Sequence, residues 1–247
     1  MWDELKLKRS NFLFEHDSAE DFCTSQWQSG PTSFAYILYR WGVSLIFLSV
    51  VSRLMVAGVM RYGIVWFAPL TKQGAILITL TFTYGAILAT IHYMKPFYGK
   101  HFFLKIFWLL HITSLVISVV VSSIYWSFLY KSTRDSKDLL TDLFLHFCNS
   151  FFMVLDQMVV AFPTRIFHCI YPFCFLLWFV ISSVIYQDWS GKPVYSILDW
   201  DLPEISLLTV IGVSVFVVFV TFLVFGMFRL RTFLYNSFEE VKCYGLC

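Results

Sequence analysis

An all-α polytopic membrane protein, a bundle of about six transmembrane helices, is the fold class this sequence predicts. Two observations carry the prediction. Of the 247 residues, 58% are hydrophobic and only 14% are charged, a balance outside the range of soluble domains. The apolar residues are also gathered into six stretches, each long enough to cross a hydrocarbon core of about 30 Å, which takes roughly 20 residues. Backbone polar groups inside lipid must be satisfied within the segment, so these stretches are read as helices although their Val, Ile and Phe would favour strands in water.

The first stretch, Tyr36–Val59, follows a polar N-terminal segment, 1–35. The second, Gly74–Tyr93, is bracketed by Pro69 and Pro96. The third is Leu104–Tyr130, and the fourth, Leu139–Phe162, is closed by Pro163. Pro203 opens the sixth, Ile205–Phe228, after which 229–247 reads as a C-terminal tail. Prolines at such boundaries cost little, because the missing N–H is an orphan there. The fifth stretch, Phe167–Gln187, contains Pro172, which is expected to kink it. The transmembrane domain is thus 36–228.

On six spans, eleven of the 18 Lys and Arg fall on the side shared by both termini, Arg40 among them. That bias places both termini in the cytosol of a plasma-membrane or endomembrane protein. The first span is expected to act as its own anchor, since no cleavable leader precedes it. A net charge of +2 without a concentrated basic patch argues against a nucleic-acid partner. The partner the composition does dictate is the lipid bilayer. The six cysteines show neither metal-type nor disulfide-framework spacing, and there is no Gly-rich phosphate loop, so no metal or cofactor is expected. Cys243 and Cys247 beside a basic, aromatic tail suit palmitoylation.

Three polar residues stand out in "HFCNSFFMVLDQMVVAFP", 146–163. On a continuous helix, His146, Asn149, Met153 and Asp156 fall within about 80° of one another. Such a stripe cannot face lipid and must meet other helices or a wet cavity. Asp156 is placed near the bilayer midplane, and His111 midway through the third span is a further candidate for the same cavity. Thr71 stands before the second helix, where an N-cap is the ordinary role. His146, about 10 Å deeper from the same face, is near enough in depth to be considered as its base. The last loop, "YQDWSGKPVYSILDWDLP", is acidic and aromatic and reads as an interfacial cap.

Several ordered motifs extend a resemblance over nearly the whole chain: "DFCTSQWQS" (21–29), "YRW" (39–41), "WFAPLT" (66–71), the run from His146 to Pro172, and "PVYSILDWDLP" (193–203). On these the chain resembles the rolling stone proteins, multi-pass membrane proteins associated with myoblast fusion. The resemblance implies a role in cell–cell fusion or membrane organisation through protein partners it does not identify. Rolling stone proteins are in turn similar to the androgen-induced membrane hydrolases, which cleave fatty acid esters of hydroxy fatty acids with a threonine and a histidine. That wider resemblance puts the threonine on Thr71 and the essential histidine on Asn149. Asparagine cannot accept a proton at neutral pH, so the dyad lacks its base unless His146 replaces it. Asn149, Asp156 and His111 are then the candidate substrate-binding residues, and acyl-ester lipids the candidate ligands.

Overall fold

The computed structural model describes residues 12–96, 102–130 and 139–245. Six of its helices are long and apolar enough to cross a membrane, as the composition predicts. They are α1 (Phe34–Tyr62), α2 (Leu70–Met94), α3 (Phe102–Ile124), α4 (Leu139–Val159), α5 (Ile170–Ser190) and α6 (Pro203–Gly245). Among the described residues the extended pairing is confined to one isolated bridge, between Ser25 and Val160. Lys6, Lys8, Arg9, Lys100, Lys131, Arg134 and Lys137 of the orientation count, and Cys247, lie outside the described residues.

α3 is the axis of the bundle. Inside the protein lies 72% of its apolar window, against 22% for α1, α5 and α6, so α3 meets protein where those three meet lipid. Phe47, Phe82, Leu115, Ile117, Met153 and Val217 form the centre of the main core. An even number of spans puts both termini at one face, here the terminal face; the other is the distal face.

Local chemistry sets the boundaries. Ser33 caps α1, its side chain accepting the Tyr36 N–H. Pro69, extended at ψ 137°, is the N-cap of α2. The helix therefore starts at Leu70, four residues before the expected boundary, and Thr71 lies inside the first turn instead of capping it. Pro172 likewise falls in the first turn of α5, behind a 3-10 turn over Ile166–Cys169. Its missing N–H is tolerated there, and the kink expected inside the span has no lost interior bond to cause it. Gly191 ends α5 at φ 66°, a left-handed cap open to glycine. α6 runs unbroken to Gly245, so what reads as a tail is a helical continuation.

The N-terminal segment is fastened beneath the bundle. Phe22 and Cys23 are buried with Phe107, Trp108 and Phe162 in a second core, and Trp27 packs its ring against Tyr235 and Phe238 of α6. Burial pushes the Cys23 thiol up to about 12, which keeps it protonated. Cys23 is expected to resist maleimide at pH 8 in the folded protein and to react once the chain is denatured. Rapid labelling of native protein would show that this second core is not closed.

Candidate functional site

Two π turns face each other near the distal ends of α3 and α4. α3 continues into one over Tyr125–Leu129, closed by Tyr130 N–H donating to the Tyr125 carbonyl at 2.9 Å. α4 contains the other, Phe144–Cys148, where the Asn149 N–H reaches back to the Phe144 carbonyl. A widened turn strands carbonyls that an α-helix would use. Asn149 Nδ2 donates to the Leu145 carbonyl at 2.7 Å, and the Ser122 hydroxyl donates to that of His146. The Asn149 amide thus repairs the turn that displaced its own N–H, and it is buried at 3% exposure.

The π turn places His146 flat on Tyr125, with ring centroids 3.4 Å apart and planes within 1°. Both rings line a distal cavity of about 660 Å³ that also holds Thr71, Lys72, Asp142 and Tyr195. Trp66 forms part of its wall. It lies so close to α1 that a β-carbon at Gly58 would come within 2.0 Å of the indole, so only glycine admits the ring there. Lys72 sits over the same indole, 5.4 Å from its centroid.

Tyr195, from the loop between α5 and α6, closes the cavity. Its buried phenol lies beside Leu70 and Thr71 on the cavity wall. Burial pushes the phenol up, while the polar groups of Thr71 and Leu70 beside it pull the other way. The loop is itself fastened: Gln187 Nε2 donates to Asp199 at 2.6 Å, and Trp200 donates its backbone N–H to Gln187 and its indole N–H to Ser183. Thr71, Tyr125, Leu129 and Tyr195 also line an apolar cleft together with Phe179, Leu198 and Val213.

Asp156 and His111 belong to a different centre. α4 ends at Val159, so Asp156 lies one turn from the terminal end of the helix, away from the midplane position expected of it. Its carboxylate accepts from Arg40 Nη1 at 2.9 and 3.0 Å, from the Tyr39 hydroxyl at 2.8 Å and from His111 Nε2 at 3.0 Å. Arg40 Nε in turn donates to the Tyr36 hydroxyl at 2.8 Å. Arg40 and Asp156 are fully buried, so Arg40, counted above as an orientation signal, is the counter-ion of Asp156. The network ties α1, α3 and α4 together and is sealed by Phe107 and Phe162 against His111.

The end of α4 is closed from two sides. Arg231 of α6, fully buried, donates to the carbonyls of Gln157, Ala161 and Phe162. The Ser25 hydroxyl and the Gln26 N–H donate to the Val159 carbonyl, and the Trp27 indole donates to that of Met158. "DFCTSQWQS" and "LDQMVVAFP", far apart in sequence, are two sides of one joint.

A family model described as Protein rolling stone matches residues 3–244. The chain belongs to the rolling stone family. Protein rolling stone of Drosophila melanogaster is 28% identical over 255 residues, which cover 96% of this chain and 92% of the fly protein. No solved structure matches the chain. In this rolling stone protein the three polar residues of the stripe are all buried, as polar groups in lipid must be, but they divide between centres. Thr71 and His146 share the distal cavity, Asn149 is turned to its own helix, and Asp156 with His111 forms the terminal network. Arg40, Arg231 and Tyr195 were missed as site residues. For Arg40 the available signal was an arginine about one turn inside an apolar span, since a charge at that depth needs a partner, whereas Arg231 lies beyond the sixth apolar stretch and carried no such signal. Among the described residues no cluster of His, Cys, Asp or Glu is arranged to hold a metal.

Proposed function

We propose that this rolling stone protein binds a lipid inside its distal half and acts through it in cell–cell fusion or membrane organisation. The observation that carries the reading is that a cavity holding Lys72, Asp142 and His146 and an apolar cleft lie on either side of a wall shared by Thr71, Tyr125, Leu129 and Tyr195. An amphiphile needs such a pair of compartments, one wet and one dry. Val213→Phe, which fills the cleft without removing a polar bond, is expected to lower lipid carried through purification, read by native mass spectrometry, and to lower fusion of cultured myoblasts in parallel. Unchanged lipid with lost fusion would separate the two and sink the proposal.

A second reading has its own support. Thr71 and His146 line one cavity and Asn149 does not, which favours His146 as the base of a threonine-dependent lipid ester hydrolase. On that reading His146 takes the Thr71 proton as the hydroxyl attacks an acyl carbonyl. Thr71→Ala and His146→Ala should then each lower hydrolysis of a hydroxy-fatty-acid ester by about 10²–10⁴-fold. Asn149→His should leave it no higher than wild type, because position 149 faces Leu145. Turnover that survives Thr71→Ala, or that rises in Asn149→His, would rule out this assignment.

The terminal face is proposed to be cytosolic, on the eleven-to-seven excess of Lys and Arg. Single cysteines at Ser18 and Ser190, in a chain otherwise free of reactive thiols, should be labelled by an impermeant reagent from opposite sides, Ser190→Cys from outside the cell. Labelling of Ser18→Cys in intact cells would reverse the orientation.

A further inference from the structure

A groove of about 730 Å³ runs between the start of α2 and the greater part of α5 and shares no lining residue with the distal cavity. It opens outward: Trp178 and Trp189 on its rim are 62% and 69% exposed, on a surface that a six-span bundle presents to lipid. From Trp189 to Phe175 it follows α5 for about 21 Å. Its lining is apolar and aromatic except for Gln73, Ser182 and Tyr186.

Those three side chains define what is missing. Ser182 donates to the Phe179 carbonyl at 2.8 Å. Gln73 Nε2 donates to the carbonyls of Phe67 at 3.1 Å and Ala68 at 3.3 Å. Two carbonyls fix which end of the amide is nitrogen, so the buried atom left without a donor is the oxygen Oε1. A buried acceptor without a donor costs about 1–3 kcal/mol. Tyr186 brings a hydroxyl to the same groove. Gln73 lies in the first turn of α2 and Tyr186 about one turn before the end of α5, both toward the distal end of the apolar track.

The complement of this groove is a long apolar body with one hydroxyl at headgroup depth. A phospholipid head brings charged acceptors to a lining that holds no cationic side chain, and a bare acyl chain brings no donor to Gln73. Flat aromatic walls favour a rigid ring system over a flexible chain, whose ordering costs entropy. We propose that the groove is a sterol site, in which the sterol hydroxyl donates to Gln73 Oε1 and accepts from Tyr186, and the fused rings lie against Phe175 and Trp178.

The test uses the full chain in phosphatidylcholine vesicles with a photoactivatable diazirine sterol, the adducts being mapped by mass spectrometry. Adducts are expected within 73–80 and 175–189. Unlabelled cholesterol should compete about fivefold better than the same sterane without its hydroxyl, the factor one hydrogen bond supplies. Ser182→Phe fills the groove and should remove the labelling. Gln73→Leu should weaken it about fivefold. If Gln73→Leu also lowers folded yield, Tyr186→Phe, which keeps the ring, carries the same comparison. Adducts spread over all the lipid-facing helices, labelling indifferent to Ser182→Phe, or equal competition by diacylglycerol would each overturn the sterol assignment.

Discussion

Asp156→Asn is expected to cost about 3–5 kcal/mol of stability, because it leaves the Arg40 guanidinium buried without its counter-charge. The amide keeps the shape of the carboxylate and an acceptor for Tyr39, yet Arg40 remains fully enclosed between the Tyr36 and Phe107 rings, 4.9 and 5.4 Å from their centroids. The measurement is the thermal midpoint and the monodisperse fraction after detergent extraction. Pairing Asp156→Leu with Arg40→Leu should recover roughly half of the loss or more, since a buried ion pair replaced as a unit is far less costly than one broken. A wild-type midpoint for Asp156→Asn would show that the pair is not held together by charge.

Arg231→Met is expected to be nearly as damaging. The methionine keeps much of the buried volume but takes the donors from the carbonyls of Gln157, Ala161 and Phe162, at about 1–3 kcal/mol for each one that water cannot reach. It also removes a cation from the negative end of α4. The loss should appear locally first, as faster hydrogen exchange at Gln26, whose N–H is held by Val159 on the same helix end. Arg231→Lys, with one compact ammonium in place of a fork, should fall between wild type and Arg231→Met. A midpoint for Arg231→Met equal to that of wild type would mean that the end of α4 is solvated and the joint with the N-terminal segment is dispensable.

Much of the fold was legible in the sequence because lipid simplifies the problem. A segment that cannot hydrogen-bond to its solvent must be helical, so span number and type followed from apolar length. Errors of a few residues at Leu70 and Val159 came from turns outside the apolar runs. His146 and Asn149 were legible as buried polar groups, but a regular helix was assumed for them. The π turn over Phe144–Cys148 adds a residue to one turn, and that rotation sends His146 to the cavity and Asn149 to its own backbone. Nothing in "FLHFC" announces the change, since its stranded carbonyl is taken by Ser122 from another helix.

By itself the sequence determined the solvent, the six spans, the family and the list of polar residues that lipid would not accept. Only the tertiary structure decided their partners. Arg40 and Asp156 are 116 residues apart, and Tyr195 shares a cavity wall with Thr71 from the far side of four spans. The physical reason is the range of the forces involved. Solvent preference and helix formation act on neighbouring residues and leave their mark in composition and spacing. A hydrogen bond or an ion pair closes over about 3 Å, and which two groups come that close is settled by how six helices pack around α3.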